Sequence, residues 1–491
     1  MNNRDNTTEP PVGKREAGIL LHPSSLPGEG EFGELGVEAL HFIDFLSAAG
    51  QQVWQVLPLG PVHEDLSPYQ ALSAFAGNPV LIGRDWLLGG LRKRPDWQAD
   101  WAHLPKPDLI GHCRQYCLAD AVERQAYTDF CQAQASWLDD YARFMLLKKR
   151  FAGQGWFDWP VQYRDRDQAA LDQLSEEAEE ELAYLRYEQY VFYSQWQQVR
   201  DYARQHRVRI LGDMPIFVAY DSADVWACRE AFLLDESGHP TVVAGVPPDY
   251  FSDTGQRWGN PHYDWEWMEA DGFRWWHWRV EQHLQLFDLF RIDHFRGFEA
   301  SWEIPAWEET AINGRWIKVP GDELFASLKA RFGDLPIIAE DLGVITEEVT
   351  ALRKKYQLPG MLILQFAFDS GPDNPYLPHS HTVDSVVYTG THDNDTTLGW
   401  FNALDEGRRE QVMAYLGHPK DPMPWALIEA AYASVAQMAI IPMQDVLELG
   451  SEYRMNIPGV AQGNWRWRFQ WEQLAAEQAG RLAELCQRYH R

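Results

Sequence analysis

The chain has 491 residues, 45% of them apolar and 23% charged, a composition that can bury a large core and excludes wholesale disorder. Its formal charge of −29 excludes binding to nucleic-acid phosphates, which needs clustered Lys and Arg, and to an anionic membrane surface, leaving neutral or cationic ligands open. The five cysteines (Cys113, Cys117, Cys131, Cys228 and Cys486) are spaced neither as a zinc ribbon nor as a redox pair.

Residues 1–16 form a polar N-terminal tail without an apolar leader-like stretch, and no run of 18 apolar residues occurs. A cytoplasmic protein with no membrane partner is expected. Short runs rich in Val, Ile, Leu and aromatics then recur at eight places: 18–22, 53–58, 208–213, 286–293, 336–340, 361–366, 385–391 and 438–444. Between most of them lie helical patterns. The first spans 37–49, with Val37, Leu40, Phe42, Ile43, Phe45 and Leu46 on its apolar side and Gly50 as its stop. After the fifth run, Thr346 caps a helix that has Glu347 and Glu348 in its first turn and Lys354 and Lys355 in its last, matching the helix dipole. About 150 residues separate the second and third runs, so 84–207 reads as a largely helical insertion subdomain, its acidic run 176–181 a solvated face.

Near-continuous apolar strands alternating with helices predict a parallel sheet covered on both faces. Eight such units predict closure into a (β/α)8 TIM-type barrel, a single catalytic domain over 17–491 with helical insertions. An open doubly wound sheet is the alternative fold.

In such barrels the chemistry gathers at the C-terminal ends of the strands. The third run ends at Asp213, the fourth at Arg291-Ile292-Asp293-His294, the fifth at Glu340-Asp341 and the seventh at Thr391-His392-Asp393-Asn394-Asp395. Retaining glycoside chemistry needs a carboxylate nucleophile and a carboxylic acid about 5–5.5 Å apart, a separation that neighbouring strand ends supply. Strand alternation puts Arg291 and Asp293 on one face, so the guanidinium is expected to lower the Asp293 pKa and keep a nucleophile ionised. Glu340, longer and near negative neighbours, suits the general acid. Asp341 should face the other way and hold structure. The same side chains could ligate a metal, but no His-Glu-x-x-His spacing supports one and His294 and His392 come from distant runs; no cofactor is expected because side chains cover both attack and protonation.

The composition includes 23 Trp, 20 Tyr and 23 Phe, rings that fill cores and also stack on the C–H faces of sugars. From 18 to 468 the chain resembles the 4-α-glucanotransferases called amylomaltases or disproportionating enzymes, glycoside hydrolase family 77. The resemblance runs through Gly18-Ile-Leu-Leu-His-Pro-Ser-Ser-Leu-Pro27, Trp54-Gln-Val-Leu-Pro-Leu-Gly-Pro61, Ser67-Pro-Tyr-Gln70, Asp213-Met-Pro-Ile-Phe217, Gly245-Val-Pro-Pro-Asp-Tyr-Phe251, Trp258-Gly-Asn-Pro261, Arg291-Ile-Asp-His-Phe-Arg-Gly297, Ala339-Glu-Asp-Leu-Gly343 and Gly390-Thr-His-Asp-Asn-Asp395.

That resemblance implies a retaining transglycosylase acting on malto-oligosaccharides, amylose or starch-type α-1,4-glucans. Asp293 would form a β-glucosyl-enzyme and Glu340 would act as acid and then base. Asp393 would grip hydroxyls of the distorted sugar, chosen over Asp395 because His-Asp is the unit shared with the wider α-amylase group. Asp213, Arg291 and His392 are the implied supporting contacts. Residues 244–263 would form a lid whose Tyr250, Phe251 and Trp258 stack on an acceptor and exclude water, with Ser67, Tyr69, Phe366 and Asp369 as further lining. Where many members have Gly-Tyr-Gly-Asp, this chain has His63-Glu64-Asp65-Leu66, so the aromatic of a remote glucan groove is missing. The family also lacks the C-terminal β-sandwich of α-amylases. A hydrolase of the same fold and a non-catalytic glucan-binding protein are the competing readings.

Overall fold

The computed structural model describes residues 15–92, 101, 103–248, 252–460 and 462–491. Eight strands run parallel in one sheet: β1 (Glu16–Leu20), β2 (Val53–Gln55), β3 (Arg209–Met214), β4 (Leu289–Ile292), β5 (Ile337–Ala339), β6 (Gly360–Ile363), β7 (Ser385–Tyr388) and β8 (Met438–Pro442). Their order, β6-β7-β8-β1-β2-β3-β4-β5, makes every neighbour in sequence a neighbour in space, with β8 paired to β1 through Ala17↔Ala439. Between β5 and β6 the Ala339 N–H donates to the Pro359 carbonyl (2.9 Å) and the Met361 N–H to the Asp341 carboxylate (2.8 Å). These bonds close the (β/α)8 barrel, and the open doubly wound alternative falls away. Asp341 also meets Arg353 at 3.1 Å, so it pins the seam.

The barrel interior is a packed core. Leu20, Val53, Leu211, Leu289, Ile338, Ile363, Val386 and Ile440 fill it. Gly18 is required in β1, because a Cβ there would meet the Val53 carbonyl oxygen at 2.5 Å and Ile440 at 2.8 Å. Side chains alternate along a strand, so two residues beyond each core layer the same rows carry polar groups: Leu211 leads to Asp213, Leu289 to Arg291 and Asp293, Ile338 to Glu340, and Val386 to Tyr388. The rows that fill the core thus aim the polar groups into the C-terminal mouth.

The stretch between β2 and β3 carries helices Arg84–Arg92, Lys106–Cys117, Ala121–Ala133, Leu138–Arg150, Gln168–Glu177 and Glu179–Gln205. The last is 27 residues long. Its first half packs on helices Lys106–Cys117 to Leu138–Arg150, and its second half reaches helix Val37–Ala48 and β3. Two glutamines buried on it act as clamps: Gln189 takes both backbone groups of Gly77 (2.8 and 2.9 Å) and Gln195 both of Gly83 (2.6 and 3.0 Å). The β2 loop is thereby fixed to the insertion.

Several elements differ from the sequence reading. Helix Arg274–Leu286 takes the start of the run at 286–293, leaving β4 only Leu289–Ile292. The turn between them is held by Asp288, which accepts the Ile210 N–H (2.9 Å) and pairs with Arg200 (3.0 Å). The run at 438–444 turns into a short helix, Met443–Val446, after Pro442. Strands Val242–Val246 and Gln256–Pro261 take up the two ends of the stretch 244–263. With Ala300–Pro305 and Arg315–Lys318 they form a four-stranded antiparallel sheet beside the barrel mouth. Among the described residues no strand follows β8, and no helix is long and apolar enough to cross a membrane.

Candidate active site

Arg291 is the hub of the barrel mouth. Its Nε and Nη2 donate to the two carboxylate oxygens of Asp213 (3.0 and 2.8 Å), the same Nη2 lies 3.0 Å from Asp293, and the Arg291 and Asp213 side chains are buried. Tyr69 completes the knot: its O–H donates to Asp213 (2.5 Å) and its oxygen accepts from Arg291 (3.0 Å). Burial and the Asp213 carboxylate hold the Tyr69 hydroxyl well above the usual phenol range, so it stays a donor.

Glu340 reaches across from β5. One of its oxygens accepts the N–H of His294 at 2.7 Å and the other the N–H of Leu342 at 2.9 Å. His294, the residue after Asp293, has left-handed backbone (φ 53°), the sharp turn that presents its N–H to Glu340 while Phe295 N–H bonds the Glu340 carbonyl at 3.0 Å. The two carboxylates are therefore close neighbours with different contacts.

The expected lowering of the Asp293 pKa is corrected by this geometry. Its carboxyl is held above the ordinary range, first by desolvation in the barrel mouth although 33% of the side chain stays exposed, with Glu340, Asp213 and Asp393 adding to it, against the pull of Arg291. Division of charge adds to that desolvation: the guanidinium already satisfies both oxygens of Asp213, and one cation cannot offset the surrounding carboxylates. Glu340 is also raised, chiefly by burial, against Arg291 and its two backbone N–H donors. The two carboxyls titrate as a unit.

His392 is buried and kept neutral by desolvation; its ring stacks on Tyr69 (5.2 Å, 14°) and its Nε2 is 3.3 Å from Asp393. Asp393 is half-open to solvent and accepts from Asn456 Nδ2 at 2.7 Å. Asp395 turns away, its oxygens taken by Ser451 Oγ (2.7 Å) and the Thr396 N–H (2.8 Å). On strand Gln256–Pro261, Trp258 sets its ring at right angles to His294, centroids 4.9 Å apart. Phe366, in the helical turn Leu364–Phe368 that follows β6, packs edge-on to Tyr376 (5.7 Å, 71°).

Asp369 is exposed and accepts from Asn374 Nδ2 (3.0 Å); it meets the cluster only through the field it shares with Glu340 on Tyr376. Ser67 bonds the Asp65 carboxylate through its backbone N–H (3.1 Å), two residues before Tyr69. Tyr250 and Phe251 lie outside the described residues. The sequence reading missed four contributors. Tyr376 has its hydroxyl pushed up to about 12, mainly by burial, with Asp341 and Glu340 next. Trp465 packs near Tyr69 and His392 (6.0 and 5.8 Å), Asn456 holds Asp393, and Tyr388 continues an inward row that strand alternation could have revealed. Among the described residues no three His, Cys, Asp or Glu side chains converge as a metal site.

A cleft with two neighbouring carboxylates, one touching a guanidinium and the other seated on peptide N–H groups, has the parts for two-step displacement at an anomeric carbon. The family model described as 4-alpha-glucanotransferase matches residues 21–474. A 4-alpha-glucanotransferase of Thermus thermophilus is 49% identical over 96% of this chain and 98% of its own. A chloroplastic/amyloplastic 4-alpha-glucanotransferase of Solanum tuberosum is 44% identical, covering 98% of this chain and 87% of its own. Among solved structures, an amylomaltase of Streptococcus agalactiae in complex with acarbose superposes with TM-score 0.92 at 38% identity, over 97% of this chain and 100% of its own.

Proposed function

The chain belongs to the 4-alpha-glucanotransferases of glycoside hydrolase family 77, and on that premise we propose that it exchanges α-1,4-glucan segments between malto-oligosaccharide or starch-type chains by a retaining mechanism on Asp293 and Glu340. In the first step an Asp293 oxygen attacks the anomeric carbon of the donor. The bond to the departing O4 breaks as Glu340 gives that oxygen its proton, leaving a β-glucosyl ester on Asp293. In the second step the O4 hydroxyl of an acceptor chain passes its proton to Glu340 and attacks the same carbon, expelling the Asp293 carboxylate with net retention.

The observation that carries this reading is the seating of Glu340 on the N–H of His294 (2.7 Å), next to an Asp293 that Arg291 touches at 3.0 Å. The cluster holds a proton because its carboxylates outnumber the guanidinium. The retaining reaction needs that proton on Glu340 as the acid and needs Asp293, the carboxylate that Arg291 touches, ionised as the nucleophile. Asp393, braced by Asn456, is positioned to take sugar hydroxyls at the rim, while Tyr69, Asp213 and His392 hold the reacting ring.

Transfer and hydrolysis share the ester and differ in what attacks it. Trp258, with Tyr250 and Phe251, favours transfer if these rings hold an acceptor sugar and exclude water. Maltotriose separates the two outcomes: transfer yields glucose plus a ladder of chains longer than the substrate, whereas products no longer than maltotriose would show a hydrolase. Asp293→Asn should abolish turnover while glucan still binds.

A further inference from the structure

The antiparallel sheet beside the barrel carries an indole ring on a fixed mount. Trp316, in strand Arg315–Lys318, is 38% exposed. The Arg296 guanidinium lies 3.7 Å from its ring centroid, and Trp302, its direct partner on the paired strand, meets it at 5.1 Å and 65°. Contacts on two sides hold the ring plane, and the remaining ring surface faces solvent. Arg296, 8% exposed and three residues after Asp293, also donates to the carbonyl of Val344, four residues after Glu340. The ring is thus two contacts away from the segments that carry both carboxylates.

The surroundings of the ring select one ligand chemistry. Two residues along the same strand, and so on the same face, Lys318 pairs with Glu299. An oriented aromatic face beside an exposed ammonium paired to a largely covered carboxylate fits a pyranose, with C–H groups on the ring and hydroxyls on the charged group. The neutral charge of a glucan suits a chain of formal charge −29. The direction follows from the chemistry: the acid protonates the leaving chain, so that chain departs, and an acceptor arrives, on the side of Glu340 and its Val344 loop.

We propose that Trp316 is a stacking platform for the acceptor-side glucan, beyond the sugar that reacts. This rests on the reading of Asp293 and Glu340 as nucleophile and acid. Bound there, a long acceptor gains affinity that glucose cannot reach.

The test uses α-maltotriosyl fluoride as donor and compares glucose with maltopentaose as acceptor. Trp316→Leu should raise KM for maltopentaose roughly tenfold, equivalent to about 1.4 kcal/mol. KM for glucose and kcat should stay unchanged, and Trp316→Phe should show a smaller rise. Equal rises for both acceptors, a loss of kcat at constant KM, or wild-type values in both variants would overturn the proposal. A kcat loss would mean that the ring only braces Arg296 and the Glu340 loop. Fluoride release without acceptor reports the Asp293 chemistry separately: it should persist in Trp316→Leu and vanish in Asp293→Asn, and its survival in Asp293→Asn would count against the catalytic reading instead.

Discussion

Arg291 serves two carboxylates at once, so replacing it with Gln strips charge from a cluster that includes Asp213, Asp293, Glu340 and Asp393. Removing one member of a buried pair costs about 3–5 kcal/mol, and the Asp213 side chain is 0% exposed. Against a typical reserve of about 5–15 kcal/mol, the variant should fold with a clearly lower melting temperature. The Asp293 side chain is 33% exposed, so its attraction to Arg291 is screened. Unit charges about 4 Å apart are worth about 4 kcal/mol at an effective dielectric near 20, and halving that for exposure leaves about 2 kcal/mol. Losing a cation raises the pKa of a carboxyl, and Asp293 must be ionised to attack. The acid limb of kcat/KM should therefore move to higher pH, read from initial glucose release from maltotriose across the pH range where carboxylates titrate. Arg291→Lys keeps the charge but loses the two-pronged grip, so its limb should move less while its rate falls. An acid limb that stays in place in Arg291→Gln would refute the electrostatic reasoning.

Tyr69→Phe removes the bond to Asp213 and the acceptor for Arg291 while keeping the ring on His392; it should cost about 1–3 kcal/mol in kcat/KM, measured by the same assay. Asp393→Asn should lower kcat by about a hundredfold, whereas Asp395→Asn, whose oxygens serve Ser451 and Thr396, should lower the melting temperature more than the rate. His283 is buried, its pKa lowered to about 3 by desolvation and then by Arg279, from an ordinary 6.5. The unfolded chain takes up that proton first, so the contribution of a neutral His283 is intact above 6.5 and is lost as pH falls toward 3. His283→Gln should therefore show a flatter decline of unfolding free energy with acid than the wild type, by up to about 1.4 kcal/mol per pH unit, read from denaturant melts.

The barrel was legible because its strands are buried on both faces and read as apolar runs between helices that carry their own start and stop signals, Thr346 and Gly50 among them. Asp213, Arg291, Asp293 and Glu340 were legible because each ends such a run. The antiparallel sheet was not: Val242–Val246 and Gln256–Pro261 contain Gly and Pro and no clean alternation, and although they pair with each other, the sheet is completed only where Val242–Val246 meets Ala300–Pro305, distant in the chain, which in turn pairs with Arg315–Lys318. Asn456 and Trp465 lie in irregular chain, where no period marks what faces the cleft. The sign of the Asp293 shift was missed for a related reason. Local alternation places Arg291 beside Asp293, but the sharing of that guanidinium with Asp213 appears only when β3 and β4 pair.

The central claim is that the glucosyl group rides on Asp293. With α-maltotriosyl fluoride, whose leaving group needs no acid, Glu340→Gln should complete the first step and stall before the second. Mass spectrometry of a digest should then find a maltotriosyl adduct on the peptide containing Asp293, absent when Asp293→Asn is added. An adduct on another residue, or fluoride release with an inverted product and no adduct, would contradict the account.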